Sequence, residues 1–239
     1  RHLVSGSLWV AMGLAVTAGY VDAFVYRNVM PVFVANMSGN LIKFGMAIGD
    51  VDVHAVVAAA IALAAFSLAA TAGAAVIDRR LSLSSRAVVD PAPLLLAEVV
   101  LLTALTLVAV IAHPTLSERL TGDHILIVAF GSAAMGLQAV SLRRVGDVAV
   151  STTYGTGAIV RMAEKTALAF RRSARDHDVP RRHSVLVLSC ILAWYLIGAA
   201  IAAAIAEHRA LLGILPAINL LIAWRVHHID RRGLRKTDI

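Results

Sequence analysis

Charge and cysteine are both scarce in this chain. Asp, Glu, Lys and Arg make up 15% of its 239 residues, against about 25% in an ordinary soluble domain. The single cysteine, Cys190, lies inside an apolar block, which rules out an intrachain disulfide and argues against a thiol-ligated metal site. Histidines occur without metal-ligand spacing: His227 and His228 are adjacent and point apart on a helix, while His177 and His183 share an Arg-rich loop. No Ser-His-Asp or paired-carboxylate arrangement can be assembled. The expectation is therefore a protein that is not an enzyme and carries no cofactor and no metal.

What the sequence has in quantity is apolar residues. They form 59% of the chain, with a mean hydropathy of +0.78, and they come in blocks of about 20, the length a helix needs to cross roughly 30 Å of hydrocarbon. Six such blocks stand out, at residues 8–26, 54–77, 91–112, 124–142, 185–206 and 210–226. The first shows no small-residue cleavage site after it and reads as a span rather than a signal peptide. The net charge of +7 sits in short loops and the tail, the footprint of the positive-inside rule and not of a phosphate-binding face. The expected partner is the lipid bilayer and not nucleic acid.

Two stretches interrupt the apolar pattern, residues 28–49 and 145–170. Each opens with a short β-branched run (32–34 and 148–153), passes through a Ser/Thr-Gly pair and turns helical. A strand-like run, a small N-cap residue and then a helix is the expected form of a broken membrane segment. The two also correspond: Ser38-Gly39 falls on Thr156-Gly157 and Lys43 on Arg161, all at an offset of 118 residues. Ala18-Gly19 approximately matches Met135-Gly136, and Gly73-Ala74-Ala75 resembles Gly198-Ala199-Ala200. This order predicts two repeats, about 1–115 and 116–239 within one membrane domain, each built as helix, broken segment, helix, helix.

Charge placement chooses the topology. If each broken segment dips in and returns, 16 of the 22 Lys and Arg fall on one side, three (Arg27, Arg119, Arg209) on the other and three within the broken segments. If each crosses, the count is 12 against 7. The first arrangement obeys the positive-inside rule, with both termini cytoplasmic. Three crossings per repeat then make the repeats inverted. The predicted fold class is an all-α integral membrane protein, with six transmembrane helices plus two broken strand/half-helix segments, arranged as two inverted repeats.

Irregular backbone at membrane depth is tolerated only where protein or a water-filled cavity satisfies it. The two half-helices should point their N-termini, with free N–H groups and the positive dipole end, at a common polar place near the midplane. Asn36, Ser38, Gly39 and Asn40 at one N-terminus, with Thr153, Thr156 and Gly157 at the other, are the candidate substrate-binding residues. The alternative is that the glycines serve tight helix packing. Asp22 in the first helix is the leading candidate to carry a coupling proton or to pair with Lys43 or Arg161, because ionisable groups in apolar blocks are costly and usually functional. Glu98 has the same two readings with less support. Lys43 and Arg161 occupy matched positions, or else snorkel to the interface. Gln138 and Asn219 are candidates for interhelical hydrogen bonding.

The runs AGYVDAFVY, VFVANMSGNLIKFG, PLLLAEVVLL, MGLQAVSLRRVG and TTYGTGAIVRMA resemble the YoaK-like family of bacterial membrane proteins, a domain of unknown function, number 1275. The resemblance covers nearly the whole chain. It implies a bacterial cytoplasmic (inner) membrane location and brings no substrate. The family pattern has Asn after the Gln of MGLQ where this chain has Ala139, so a pairing of Asp22 with an amide across the repeats does not carry over. In architecture, a strand running into a half-helix once per inverted repeat also looks like sulfate-type anion and nucleobase transporters, although those are longer and their broken segments cross.

The leading expectation is a small secondary transporter for a small polar or anionic solute held between the half-helix N-termini, proton-coupled through Asp22. The alternatives are a channel with two re-entrant half-helices and a non-transporting scaffold or sensor, in which Gly73, Ala74, Gly198 and Ala199 would serve association. A homodimer fits the small size of a six-span bundle.

Overall fold

In hydrocarbon a helix is the one open-ended structure that satisfies its own backbone, and the apolar blocks become helices accordingly. The computed structural model describes residues 5–6, 8–83, 91–142, 144–145, 148–150, 153, 157, 159–160, 162–164, 179–205 and 212–234. Seven helices are defined among them: α1 (Leu8–Asn28), α2 (Met37–Gly49), α3 (Val53–Leu83), α4 (Ala92–Ala112), α5 (Gly122–Ser141), α6 (Val179–Ala204) and α7 (Ile214–Leu234). Three two-residue strands join them: β1 (Ser5–Gly6) pairs in parallel with β2 (Arg144–Val145), and β2 pairs antiparallel with β3 (Val148–Ala149).

Five helical stretches are long and apolar enough to cross a membrane: Leu8–Asn28, Val53–Arg80, Ala92–Ala112, Gly122–Ser141 and Ser184–Ala204. This is a multi-pass membrane protein. The expected sixth span corresponds to α7, whose described apolar part, Ile214–Val226, is shorter than the other five. At 1.5 Å per residue its 13 residues rise only about 20 Å. Beyond Val226 the helix continues into a basic stretch with His227, His228, Arg231 and Arg232. Residues 206–211, where the sixth block was expected to begin, lie outside the described residues.

The expected strand at residues 32–34 does not form. Its β-branched residues carry strand propensity, but propensity needs a neighbouring strand to pair with, and here side chains take the ladder's place, as described below. The run at 148–153 does contain a strand, β3, because β2 lies beside it.

α1 and α5 occupy the centre, each with 67% of its span buried. α1 packs chiefly on α6, α5 on α3 and on α4, and α4 on α7. The α1–α6 crossing is close enough that a Cβ on Gly19 would collide with the carbonyl oxygen of Tyr195, and one on Gly198 with that of Val16. Gly136 makes the same kind of approach to the carbonyl of Phe66 where α5 crosses α3. Small residues let membrane helices approach to backbone contact, which is where their association energy comes from. α2 packs on α3 and leaves Leu41, Ile42, Met46 and Ile48 exposed, a surface for lipid.

The loops assign the ends of the bundle. Val29 accepts a hydrogen bond from the Ser117 amide (3.3 Å), and His54 Nδ1 accepts one from the Leu120 amide (3.5 Å). Met30 and Pro31 line the same shallow cavity as Asp50, Asp52 and Ala55. The chain therefore leaves α1 and enters α3 at one end of the bundle, where the α4–α5 loop also lies.

Replacing Gly19 or Gly136 by Leu is expected to lower stability by about 1–3 kcal/mol through overpacking. Leu at the exposed Gly45, where an added Cβ meets nothing within 4 Å, is expected to be nearly neutral. Thermal unfolding of the purified variants in detergent measures the difference.

Candidate functional site

Between α1 and α2 the chain runs without regular structure, yet Val34 reaches deep into the bundle. A Cβ on Gly131 would stand 3.0 Å from Val34 Cγ1. Gly131 is nine residues into α5, about 14 Å along its axis and so near mid-membrane. Each backbone N–H there must find a partner inside the protein. Val29 and Met30 donate to the carbonyl of Val25, both at 3.0 Å, and Val32 donates to that of Met30 at 2.7 Å. Pro31 has no N–H to place. Phe33 donates to Asn40 Oδ1 (2.8 Å), while Asn40 Nδ2 donates back to the Phe33 carbonyl (2.5 Å). Val34 and Ala35 both donate to Asp22 Oδ1, at 2.6 and 2.7 Å.

Asp22 is thus the anchor of this segment. It is 3% exposed, and its second oxygen accepts the Tyr195 hydroxyl of α6 at 2.6 Å. The expected pairing with Lys43 is not made: Lys43 Nζ is 3.5 Å from Tyr26 Oη and lies over the Tyr26 and Phe33 rings, 4.7 and 5.9 Å from their centres. Those rings stack at 4.8 Å, which gives the ammonium group an aromatic seat. Asn36 caps α2, accepting from the Gly39 amide (3.3 Å) and the Ser38 hydroxyl (2.8 Å). Ser38 is exposed. A Cβ on Gly39 would crowd the Phe33 ring at 2.9 Å, so glycine lets the loop fold back on its own helix.

A second polar group lies between α1, α4 and α7. Asn219 Nδ2 donates to Glu98 Oε1 at 2.7 Å, and the Thr17 hydroxyl stands 3.1 Å from Asn219 Oδ1 and 3.2 Å from the Gly13 carbonyl. All three side chains are fully buried, and Glu98 Oε2 has no hydrogen-bond partner among the described residues. Gln138, also buried, reaches from α5 to the carbonyl of Leu14 at 3.0 Å.

Of the residues singled out in the second broken segment, Thr153 is buried, with no hydrogen-bond partner for its hydroxyl among the described residues. Gly157 is helical, as are Ile159, Val160 and residues 162–164. Met162 packs on the α6 side, where Ser189 donates to its sulfur at 3.2 Å. Thr156 and Arg161 lie outside the described residues. Among the described residues no hydrogen bond joins Ser38 or Gly39 to Thr153 or Gly157. Nor does any group of three or more His, Cys, Asp or Glu there lie close enough to hold a metal ion.

Sequence reasoning passed over Tyr195 and Thr17. The signal for Tyr195 is weak: a hydroxyl in an apolar helix must find a buried partner, but nothing local says that the partner is 173 residues away.

Residues 10–225 match the family model described as "Protein of unknown function (DUF1275)". The chain belongs to this family. It is 27% identical over 182 residues to the "UPF0700 transmembrane protein YoaK" of Bacillus subtilis (strain 168), covering 74% of this chain and 77% of that protein. No solved structure matches it. The transmembrane relative and the apolar helices agree on a multi-pass membrane protein.

Asp22→Ala leaves three donors at membrane depth unserved and is expected to cost at least about 2 kcal/mol. Asp22→Asn keeps an acceptor for Val34 and Ala35, and Tyr195→Phe removes one donor, so both should cost less. Denaturant titration in mixed micelles, followed by circular dichroism, orders the three. Equal stability of Asp22→Ala and wild type would remove the anchor role.

Proposed function

We propose that this protein is a small secondary transporter of a polar or anionic solute in the bacterial cytoplasmic membrane, with both termini on the cytoplasmic side. The observation that carries the reading is the irregular segment before α2, held at mid-membrane by Asp22 and Asn40 and ending in a half-helix whose first residues are Asn36, Ser38 and Gly39. Such backbone occurs in membranes where it lines a site. Its helix N-terminus favours negative or hydrogen-bond-accepting groups, and Lys43 adds a positive charge one turn on.

The inverted-repeat reading has support in the packing. α1 lies on α6 and α5 on α3, so the first helix of each proposed half rests on a helix of the other. Gly19 with Tyr195 and Gly136 with Phe66 make the corresponding contacts. Asp22 and Ala139, each three residues beyond its glycine, then correspond, so the polar pair Asp22–Tyr195 stands where the other half has Ala139 and Phe66. Among the described residues the anchor stands in the first half alone. The dip-and-return path of residues 28–52 is supported by Met30, Pro31, Asp50 and Asp52 sharing one cavity.

A scaffold would need no polar centre, whereas Thr17, Asp22, Glu98, Ser132, Gln138, Thr153 and Asn219 are all buried. Gly198 and Gly73 are also engaged within the chain, against α1 and α5. Both facts favour transport over association.

Uptake into proteoliposomes across a panel of small anions and polar solutes tests the reading. Flux of at least one solute is expected, falling tenfold or more, on the order of 1.4 kcal/mol, when Ser38 or Thr153 is replaced by Leu. Unchanged flux in both variants would remove the site. The path has its own check: in a Cys190→Ala background, cysteines placed at Pro31 and Asp50 should react with a membrane-impermeant thiol reagent from the same side.

A further inference from the structure

The Glu98 group behaves differently from the Asp22 group. Asp22 has donors on both oxygens and is fixed by them, whereas Glu98 has a donor on Oε1 and none on Oε2 among the described residues. Its one partner, Asn219, is itself held by Thr17, whose single hydroxyl hydrogen has two acceptors in reach, Gly13 O at 3.2 Å and Asn219 Oδ1 at 3.1 Å. A hydroxyl can serve only one at a time. We propose that Glu98 is a proton-binding site whose charge state is read by the Asn219 amide and the Thr17 hydroxyl, through a hydrogen-bond chain that runs in either direction.

With Glu98 ionised, the chain points toward it. Thr17 donates to Asn219 Oδ1, and Asn219 Nδ2 donates to Glu98 Oε1, as the structure has it. When a proton from water binds at Oε1, that oxygen becomes a donor and the chain reverses. A half-turn of the Asn219 amide puts its oxygen toward Glu98 and its NH2 group toward Thr17 Oγ1. Thr17 then turns its hydrogen to the Gly13 carbonyl. Amide oxygen and nitrogen are nearly equal in size, so the heavy atoms keep their places. Only an O–H bond on Glu98 forms and breaks, and the proton comes from water and returns to it. Each state of the carboxyl is served by the same three side chains, which an apolar substitute for any of them would prevent.

Other titratable groups stand off from this chain. Glu98 is the sole ionisable residue of α4. On α7 the described ionisable side chain is Arg225, exposed and six residues past Asn219. On α1, Asp22 is engaged by Tyr195 and the backbone, and Tyr20, Tyr26 and Arg27 lie further toward the helix end from Thr17 than Gly19 does. On α5, Asp123 and His124 bind Thr121 at the end of the bundle remote from Glu98. The switch joins α1, α4 and α7, and Thr17 is two residues from the Gly19 crossing with α6. As a coupling device it rests on the transporter reading; as a proton site it does not.

Infrared difference spectroscopy of the full-length protein in lipid, as a function of pH and with and without Na+, tests it. A carboxylic acid C=O stretching band that titrates, shifts in D2O, persists in Asp22→Asn and is lost in Glu98→Gln is expected. Identical spectra of wild type and Glu98→Gln across the pH range would overturn the site, and a band removed by Na+ at constant pH would reassign it to a metal cation. Thr17→Val preserves shape and the carboxyl, and should displace the band's midpoint by about one pH unit, the scale of one hydrogen bond in the chain. An unmoved midpoint overturns the relay. If the band titrates while no solute is carried, the transporter reading fails and the proton site stands. Proton-driven flux that survives in Glu98→Gln removes Glu98 from coupling.

Discussion

The structure depends on a carboxylate that does a β-ladder's work. Backbone at mid-membrane cannot turn to water, and the six residues between Met30 and Met37 cannot all turn to one another. Asp22 Oδ1 accepts two successive N–H groups, and Asn40 closes the Phe33 peptide on both its sides. Without these the segment would carry three unserved donors. Placing Asp22 in α1 and Tyr195 in α6 also ties the segment to the α1–α6 crossing, so the irregular loop is held where two helix backbones approach closely. The position of α2, and of anything its N-terminus touches, follows from that tie.

Most of the helical framework was legible in the sequence because bilayer thickness sets a length that composition alone reveals. The break before α2 was legible too. The small N-cap residue was expected at the Ser38-Gly39 pair; the cap is Asn36 and α2 begins at Met37, slightly earlier. The strand expected at residues 32–34 was misread because β-branched residues favour an extended backbone without supplying a neighbour for it. The tertiary partners were not legible: Asp22 with Tyr195, Thr17 with Asn219 and Asn219 with Glu98 are 173, 202 and 121 residues apart. No spacing rule spans such separations. Asp22 could be singled out as unusual, but its role as an anchor required knowing where Val34 and Ala35 lie.

Sequence reasoning put the same two readings on both buried carboxyl groups, and the structure separates them by their hydrogen-bond partners. Asp22 has donors on both oxygens. Glu98 has a donor on Oε1 alone among the described residues. The difference lies in the hydrogen-bond inventory around each group rather than in depth, since both are enclosed. Buried polar networks in membranes cost stability wherever they are incomplete.

The helix pairing also has a consequence for biogenesis. α1 and α5 have the lowest mean hydropathy of the five long spans, 1.6 and 1.5 against 2.2 to 2.7, and they are the most enclosed. The main partner of α1, α6, emerges some 150 residues after it. During translation a helix bearing Thr17 and Asp22 must therefore wait in the bilayer, or at the insertion machinery, with its polar face uncovered. In the folded chain the polar face of α1 is covered by α6, so its packing is completed from the carboxy-terminal side. Chains that stop early would present their most polar helix to quality control.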